Sequence, residues 1–330
     1  MTRYLSIFLL LAAIALVLIW GLGAVLFFVP APISTPSPTA TPTSIPSPTP
    51  TATPTPGPLS VQLELPSAVA QGGTLAVHLR VPTHSGSGPL SLIGQLDDRP
   101  LHFAREGGSY WALGGFPPWA TVGPHRLFVQ ARNQRGEVAD VEAQFEVRQS
   151  DFRIERIDIP AAREGLRAPE IVQDEFRIVA AIYAEFTPQR YWRGRFGAPL
   201  KRLAMSSLYG TARAYDDGSV DSYHLGADLR AKSGDPVLAV ASGQVALAQE
   251  LQVRGNAVIL DHGWGVYSNY FHLSSIAVRP GQKVVRGQLI GYVGDTGLST
   301  APHLHWEVRV GGNAVDPWPW TERDPLRVNE

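Results

Sequence analysis

Nine histidines and no cysteines set the terms for any chemistry in this chain. Thiol nucleophiles, disulfides and cysteine-ligated metals are excluded, so a metal would have to be held by His, Asp or Glu. Five of the histidines fall in the last third. His224-Leu-Gly-Ala-Asp228 sets an imidazole and a carboxylate four residues apart. Residues so spaced share a face in a strand as well as in a helix, and Gly226 with its β-rich surroundings favours a strand. Taken alone, such a pair is usually an ion pair or a coincidence of spacing. His303-Leu-His305 precedes an alternation of Trp306, Val308 and Val310, so on a strand both imidazoles face one way and Leu304 the other. Two neutral imidazoles side by side are poor core material unless something binds them. His272 closes Tyr267-Ser-Asn-Tyr-Phe-His272, where a regular strand puts Tyr270 and His272 on one face. His262 has no partner by spacing and reads as a turn residue bonded locally. His78, His84, His102 and His125 show no ligand spacing and read as ordinary surface or strand residues.

The elements that must position these side chains are mainly β. Val237-Leu-Ala-Val-Ala, Asn256-Ala-Val-Ile-Leu and His305-Trp-Glu-Val-Arg-Val are short strands between glycine turns, within a domain placed at 196–320 and followed by a tail, 321–330. Strands and helices do not alternate, so an antiparallel rather than a parallel sheet is expected. Upstream, a connector at 151–195 holds the one convincing soluble helix, Pro169 to Phe186, with Val172, Phe176, Val179, Tyr183 and Phe186 at spacings of three and four. Thr187-Pro188 ends it. The helix is expected to pack on a neighbouring domain; a lid over the site is the other reading.

Before the connector, residues 59–150 show period-two alternation at Leu75, Val77, Leu79 and Val81, again at Leu127, Val129 and Ala131, and again at Val141 to Val147. Several short strands in this length predict an immunoglobulin-like β-sandwich, half-buried in each strand. Residues 30–58 are rich in Pro, Thr and Ser without a charge. They form a semi-rigid stalk that would reach roughly 90 Å as polyproline II. Residues 1–29 carry an apolar run, Leu5 to Val29, long enough as a helix to cross a bilayer core of about 30 Å. An uncleaved signal anchor is favoured over a cleavable signal peptide, whose apolar core is usually only about 7–15 residues. Arg3 before the span puts the N-terminus in the cytoplasm and the remainder outside a bacterial cell membrane, crossed once through residues 5–29. The formal charge of −1 argues for no nucleic-acid partner.

Together the histidine motifs resemble the lysostaphin- and LytM-type zinc metallopeptidases that cleave peptidoglycan peptides. HxxxD, a YxH-like element and HxH follow in the family's order. The resemblance extends to Gly234-Asp-Pro-Val-Leu-Ala, Ser242-Gly-Gln-Val, Gly281-Gln-Lys-Val-Val-Arg-Gly-Gln-Leu-Ile-Gly and Gly294-Asp-Thr-Gly-Leu-Ser-Thr-Ala-Pro-His. It covers roughly residues 196–320. It implies one Zn2+ held by His224, Asp228 and His305, with His272 and His303 as the catalytic histidines that are not ligands. Three protein ligands leave a position for water, as a catalytic zinc requires. The implied function is hydrolysis of peptidoglycan peptide cross-links through a zinc-activated water. Glycyl bridges and cross-links involving D-alanine or diaminopimelate stay open. The segment Ser207-Leu-Tyr-Gly-Thr-Ala-Arg213 only loosely follows the family's S-x-F-G-x-R start, and Tyr215 and Tyr223 are candidate oxyanion tyrosines of imperfect spacing. The alternative function is a catalytically silent wall-binding scaffold or regulator of other hydrolases, with its protein partner unknown; a lipoyl-like carrier would need an exposed hairpin lysine, which Lys283 is not.

Overall fold

The computed structural model describes residues 58–82, 88–156, 159–214 and 220–327. The expected anchor and the stalk up to residue 57 lie outside these, as do His84 and Tyr215. Among the described residues no helix is long and apolar enough to cross a membrane.

The chain is mainly β. Its first part forms two sheets around one core. One runs in the order Gln62–Glu64, Thr74–Arg80, Ser109–Gly115, Ala104–Glu106; the other runs Ala68–Ala70, Val138–Arg148, Gly123–Arg132, Ser91–Leu96, Arg99–Leu101. Leu75, Val77 and Leu79 of the first meet Leu127, Val129, Phe145 and Val147 of the second. Strand Thr74–Arg80 is not half-buried, however. Ala76 and His78 are buried as well: Ala76 joins the core of the later sheet, and His78 stacks on Trp111 with ring centroids 4.0 Å apart. Both faces are covered because the C-terminal part packs on the side that a lone sandwich would leave wet.

The C-terminal part is built on a ten-stranded antiparallel sheet. Its main path is Met205–Ser207, Ala227–Arg230, His303–Val310, Val266–Ile276, Gly255–Gly263, Gly243–Leu251, Lys283–Val284. One face is apolar, with Leu229, Val258, Tyr270, Leu304, Trp306, Val308 and Val310 in a continuous core that also takes Trp192, Phe196 and Trp320. Fully burying each such side chain contributes about 1.5–3 kcal/mol.

The connector helix, Pro169–Tyr183, packs on the other face through Val179 and Tyr183 against Leu247, Leu251, Ile259, Tyr267 and Phe271. Its buried stripe is not the expected one. Val172 and Phe176 are exposed and Glu175 is buried. The Glu175 carboxylate accepts the Val253 and Arg254 backbone N–H groups at 2.7 and 3.1 Å and the Arg254 guanidinium at 2.5 Å. A buried carboxylate is costly unless so satisfied, and the bonds clamp a loop that lines the cleft described next. No residue of the helix lines that cleft, so it is a buttress rather than a lid.

Candidate metal centre

Antiparallel pairing does most of the positioning. Strand Ala227–Arg230 lies beside strand His303–Val310 with Asp228 opposite His305 and Arg230 opposite His303. His303 and His305 therefore share a face with Asp228, while Leu304 is buried in the opposite core, as the HxH spacing predicts.

His224 arrives by another route. It does not share a strand with Asp228: strand Val220–Tyr223 ends before it and the next begins at Ala227. The chain bends at Leu225 and Gly226. A Cβ on Gly226 would stand 2.5 Å from the Trp306 carbonyl oxygen and 2.9 Å from His305 Nε2, so only glycine lets the bend press against the His305 strand.

His272 also departs from expectation. Tyr270 pairs with Val258 and Leu273 with Asn256, so Phe271 and His272 together oppose a single residue. This is a β-bulge. His272 sits at φ +61°, a left-handed conformation uncommon outside glycine. Tyr270 enters the apolar core, where its hydroxyl accepts from the Val240 N–H and the Ser268 hydroxyl, each at 2.9 Å. His272 is turned by the bulge to the opposite side, where its ring centroid is 5.0 Å from that of His303 and 6.0 Å from that of His305.

The three resemblance-implied ligands converge. His224 Nε2 is 3.0 Å from Asp228 Oδ1, His305 Nδ1 is 2.8 Å from the same oxygen, and the two nitrogens are 3.1 Å apart. Tetrahedral zinc with bonds near 2.0–2.1 Å would space its ligands about 3.3 Å apart, so a small expansion of this triangle admits the ion. His303 Nε2 stands 3.5 Å from Asp228 Oδ1.

Each ring is oriented from behind. His224 Nδ1–H donates to the Leu208 carbonyl at 2.8 Å, His272 Nδ1–H to Thr296 at 2.8 Å and His303 Nδ1–H to Ala301 at 2.8 Å. His305 Nε2–H donates to Glu307 Oε1 at 3.1 Å. Fixing the proton on the outer nitrogen leaves the inner one to accept a proton or a metal.

The electrostatics suit a cation. Burial raises the cost of charge on Asp228, yet the neighbouring His224, His303 and His305 hold its carboxyl well below the usual range. Burial pushes His224 down and, with the neighbouring rings, pushes His272 to about 3. Burial also opposes charge on His305, but Asp228 and Glu307 overcome it and raise it to about 8. The two carboxylates thus favour a positive charge at His305, beside the one that Arg309 gives Glu307. A metal would displace the His305 proton, coupling binding to proton release. The donor set therefore fits a divalent ion of the zinc type, two imidazoles and one carboxylate.

Three contributors are given no role at the site by their sequence pattern. Glu307 is buried, bonded through Oε2 to Arg309 Nε at 2.9 Å and to Asn269 Nδ2 at 2.7 Å, and Asn269 in turn reaches Tyr183 of the helix at 2.8 Å. Its place on the His303-x-His305-x-Glu307 alternation is the signal that could have found it. Arg213 lies 3.6 Å from Asp228 Oδ2, and Gly226 is the third. His262 is not a turn residue. It lies fully buried in strand Gly255–Gly263, between the Ser242 carbonyl and Ser268 Oγ, and does not line the cleft. Of the candidate tyrosines, Tyr223 lines the cleft.

That cleft encloses about 530 Å³, and the five site residues lie along it with Ser207, Arg213, Arg254 and the loop Leu298–Pro302. A larger cavity of about 630 Å³, between Gly72, Tyr209 and Trp318, touches none of the five.

Peptidase family M23 matches residues 222–317. The catalytic domain of lysostaphin from Staphylococcus simulans is 34% identical over 36% of this chain and 92% of that one, with a TM-score of 0.33. The chain belongs to peptidase family M23. A Pseudomonas aeruginosa structure whose description assigns it to peptidase M23 is 28% identical, covering 76% of this chain and 94% of that one at a TM-score of 0.58, a share larger than residues 222–317 alone. Peptidoglycan DD-endopeptidase ShyA of Vibrio cholerae is 43% identical over 93 residues, 28% of this chain and 22% of the relative. The matched part spans between 22% and 31% of the length of these curated relatives.

Proposed function

We propose that this chain is a membrane-anchored zinc metalloendopeptidase that hydrolyses peptide cross-links of bacterial peptidoglycan. The observation that carries the reading is the convergence of His224, Asp228 and His305 on one point, each imidazole backed by an outer acceptor. Membership of family M23 and the peptidoglycan endopeptidases among the relatives supply the substrate class. Leu5 to Val29 would anchor the chain in the cell membrane, Pro30 to Pro58 would form the stalk, and the two sheets around residues 59–150 would be an immunoglobulin-like spacer, placing the site outside.

In this reading His224, Asp228 and His305 hold zinc. When bound, zinc supplies Lewis acidity toward a carbonyl oxygen and toward water. His272 and His303 stand beside the ligands and line the cleft, with His303 Nε2 3.5 Å from Asp228 Oδ1. They orient the attacking water, take its proton and return a proton to the departing amine, work for which a neutral imidazole is suited. The low proton affinity of His272 keeps it neutral throughout the physiological range. The loop Leu298–Pro302 and the Val253–Arg254 turn wall the cleft and confine the peptide.

The test is zinc analysis of the purified chain with mass spectrometry of the muropeptides it releases from sacculi. Stoichiometric zinc and released peptides are expected. His224→Ala should lose both zinc and activity, and His303→Ala activity alone. Substoichiometric zinc with intact sacculi would leave the scaffold reading in its place.

A further inference from the structure

Arg213 faces the cleft without the partners its chemistry calls for. It is the central residue of strand Ala212–Ala214, between two buried alanines, and lines the cleft beside Ser207 and Asp228 with 26% of its side chain exposed. Its Nη2 stands 3.6 Å from Asp228 Oδ2, beyond a good hydrogen bond. Its Nε is buried and, among the described residues, has no hydrogen-bond partner. Native proteins keep few such donors, and one beside a reacting centre asks for a reason. A metal on Asp228 would draw on the same carboxylate and leave the guanidinium freer still.

A second observation says what Arg213 is suited to hold. The connector strand Ile154–Arg156 runs parallel to Ala212–Ala214 with Glu155 opposite Arg213 in register. Glu155 lines the cleft too, and its Oε2 accepts the Ser207 hydroxyl at 2.9 Å. The same Ser207 Oγ is 3.4 Å from His224 Nδ1. A carboxylate of the chain itself therefore lies against a hydroxyl donor, on the strand paired with that of Arg213 and beside the cleft that holds the metal ligands. Hydroxyl and guanidinium together are a carboxylate-binding set, and the planar fork of arginine suits that geometry.

We infer that Ser207 and Arg213 form a subsite for a free carboxylate on the substrate residue flanking the scissile bond, and that in the resting chain Glu155 engages its hydroxyl end by accepting from Ser207. The inference rests on the peptidase reading and narrows it. Only Asp228 separates Arg213 from the metal position, and an extended peptide advances about 3.3 Å per residue, so the anion belongs to the residue next to the bond cut. Diaminopimelate carries such a carboxylate. An all-glycine bridge does not.

The experiment uses the full chain loaded with zinc and two peptides containing a D-alanyl-diaminopimelate bond, one with the flanking carboxylate free and one with it amidated. Amidation should raise KM about tenfold or more, the worth of a charge-assisted hydrogen bond, with a smaller change in kcat. Arg213→Gln should erase the difference at unchanged zinc content, and Arg213→Lys should keep part of it. Glu155→Gln should lower KM for the free-carboxylate peptide several-fold. Calorimetric binding of both peptides to zinc-loaded His303→Ala reads the subsite without turnover, and Arg213→Gln in that background should abolish the preference. Equal KM values and equal binding in the wild-type pair overturn the inference. So does an Arg213→Gln protein that sheds zinc yet still prefers the free carboxylate, which would make Arg213 only a support for Asp228. If neither peptide is cleaved but the binding preference stands, the peptidase reading fails and the subsite remains.

Discussion

Strand His303–Val310 is buried along nearly its whole length, yet its two faces obey different physics. Leu304, Trp306, Val308 and Val310 point into one apolar core, where the stabilisation is non-directional and scales with area. His303, His305, Glu307 and Arg309 point the other way into a chain of directed bonds that ends on Asp228, Asn269 and the connector helix. Burial is shared; what differs is tolerance. An apolar side chain can be exchanged for another of similar volume at modest cost. A polar network buried in low dielectric strengthens each bond it satisfies and penalises each it loses. The strand is a rigid support on one side so that it can be an exacting site on the other.

The comparison can be broken at four points. The largest effect is expected at Asp228→Ala, which removes the one atom common to His224, His303 and His305: zinc by elemental analysis should fall to background and turnover should vanish, while far-UV circular dichroism stays that of the wild type. If zinc is retained, the polar face does not hold the metal.

Leu304→Ala, on the apolar face, should cost about 2–5 kcal/mol in denaturant unfolding and leave zinc stoichiometry unchanged below the transition. A lost metal site in that variant would mean that the two faces are not separable.

Glu307→Gln should weaken zinc affinity by about 10–100-fold in a chelator competition, because the carboxylate behind His305 fixes its ring and raises its basicity. An unchanged affinity would reduce Glu307 to a partner of Arg309.

The smallest effect concerns His262, a buried histidine outside the site. Burial lowers it to about 4, below the unfolded value of about 6.5. The unfolded chain then binds more protons between these values, so stability falls as pH drops through that window. The contribution is on the order of 2 kcal/mol between pH 6.5 and 5. His262→Gln should flatten that slope in pH-dependent urea unfolding; an unchanged slope would assign it to other groups.

The sequence by itself determined which atoms could do chemistry. Without cysteine, only histidines and carboxylates could hold a metal, and the period of a strand was enough to aim His303 and His305 together. The same period could have added Glu307. Local pattern also found the helix and three of the strands in the first two sheets, Thr74–Arg80, Gly123–Arg132 and Val138–Arg148. Tertiary structure decided what spacing cannot express. His272 reaches the site through one extra residue in a bulge, which reverses the face that alternation assigns. His224 reaches it through a bend that Gly226 permits by lying against the His305 strand. The helix buries Glu175 instead of Phe176 because the turn between strands Gly243–Leu251 and Gly255–Gly263 offers that carboxylate three donors. In each case the deciding partner is distant in the chain, and a pattern read along one segment has no access to the surface it will meet.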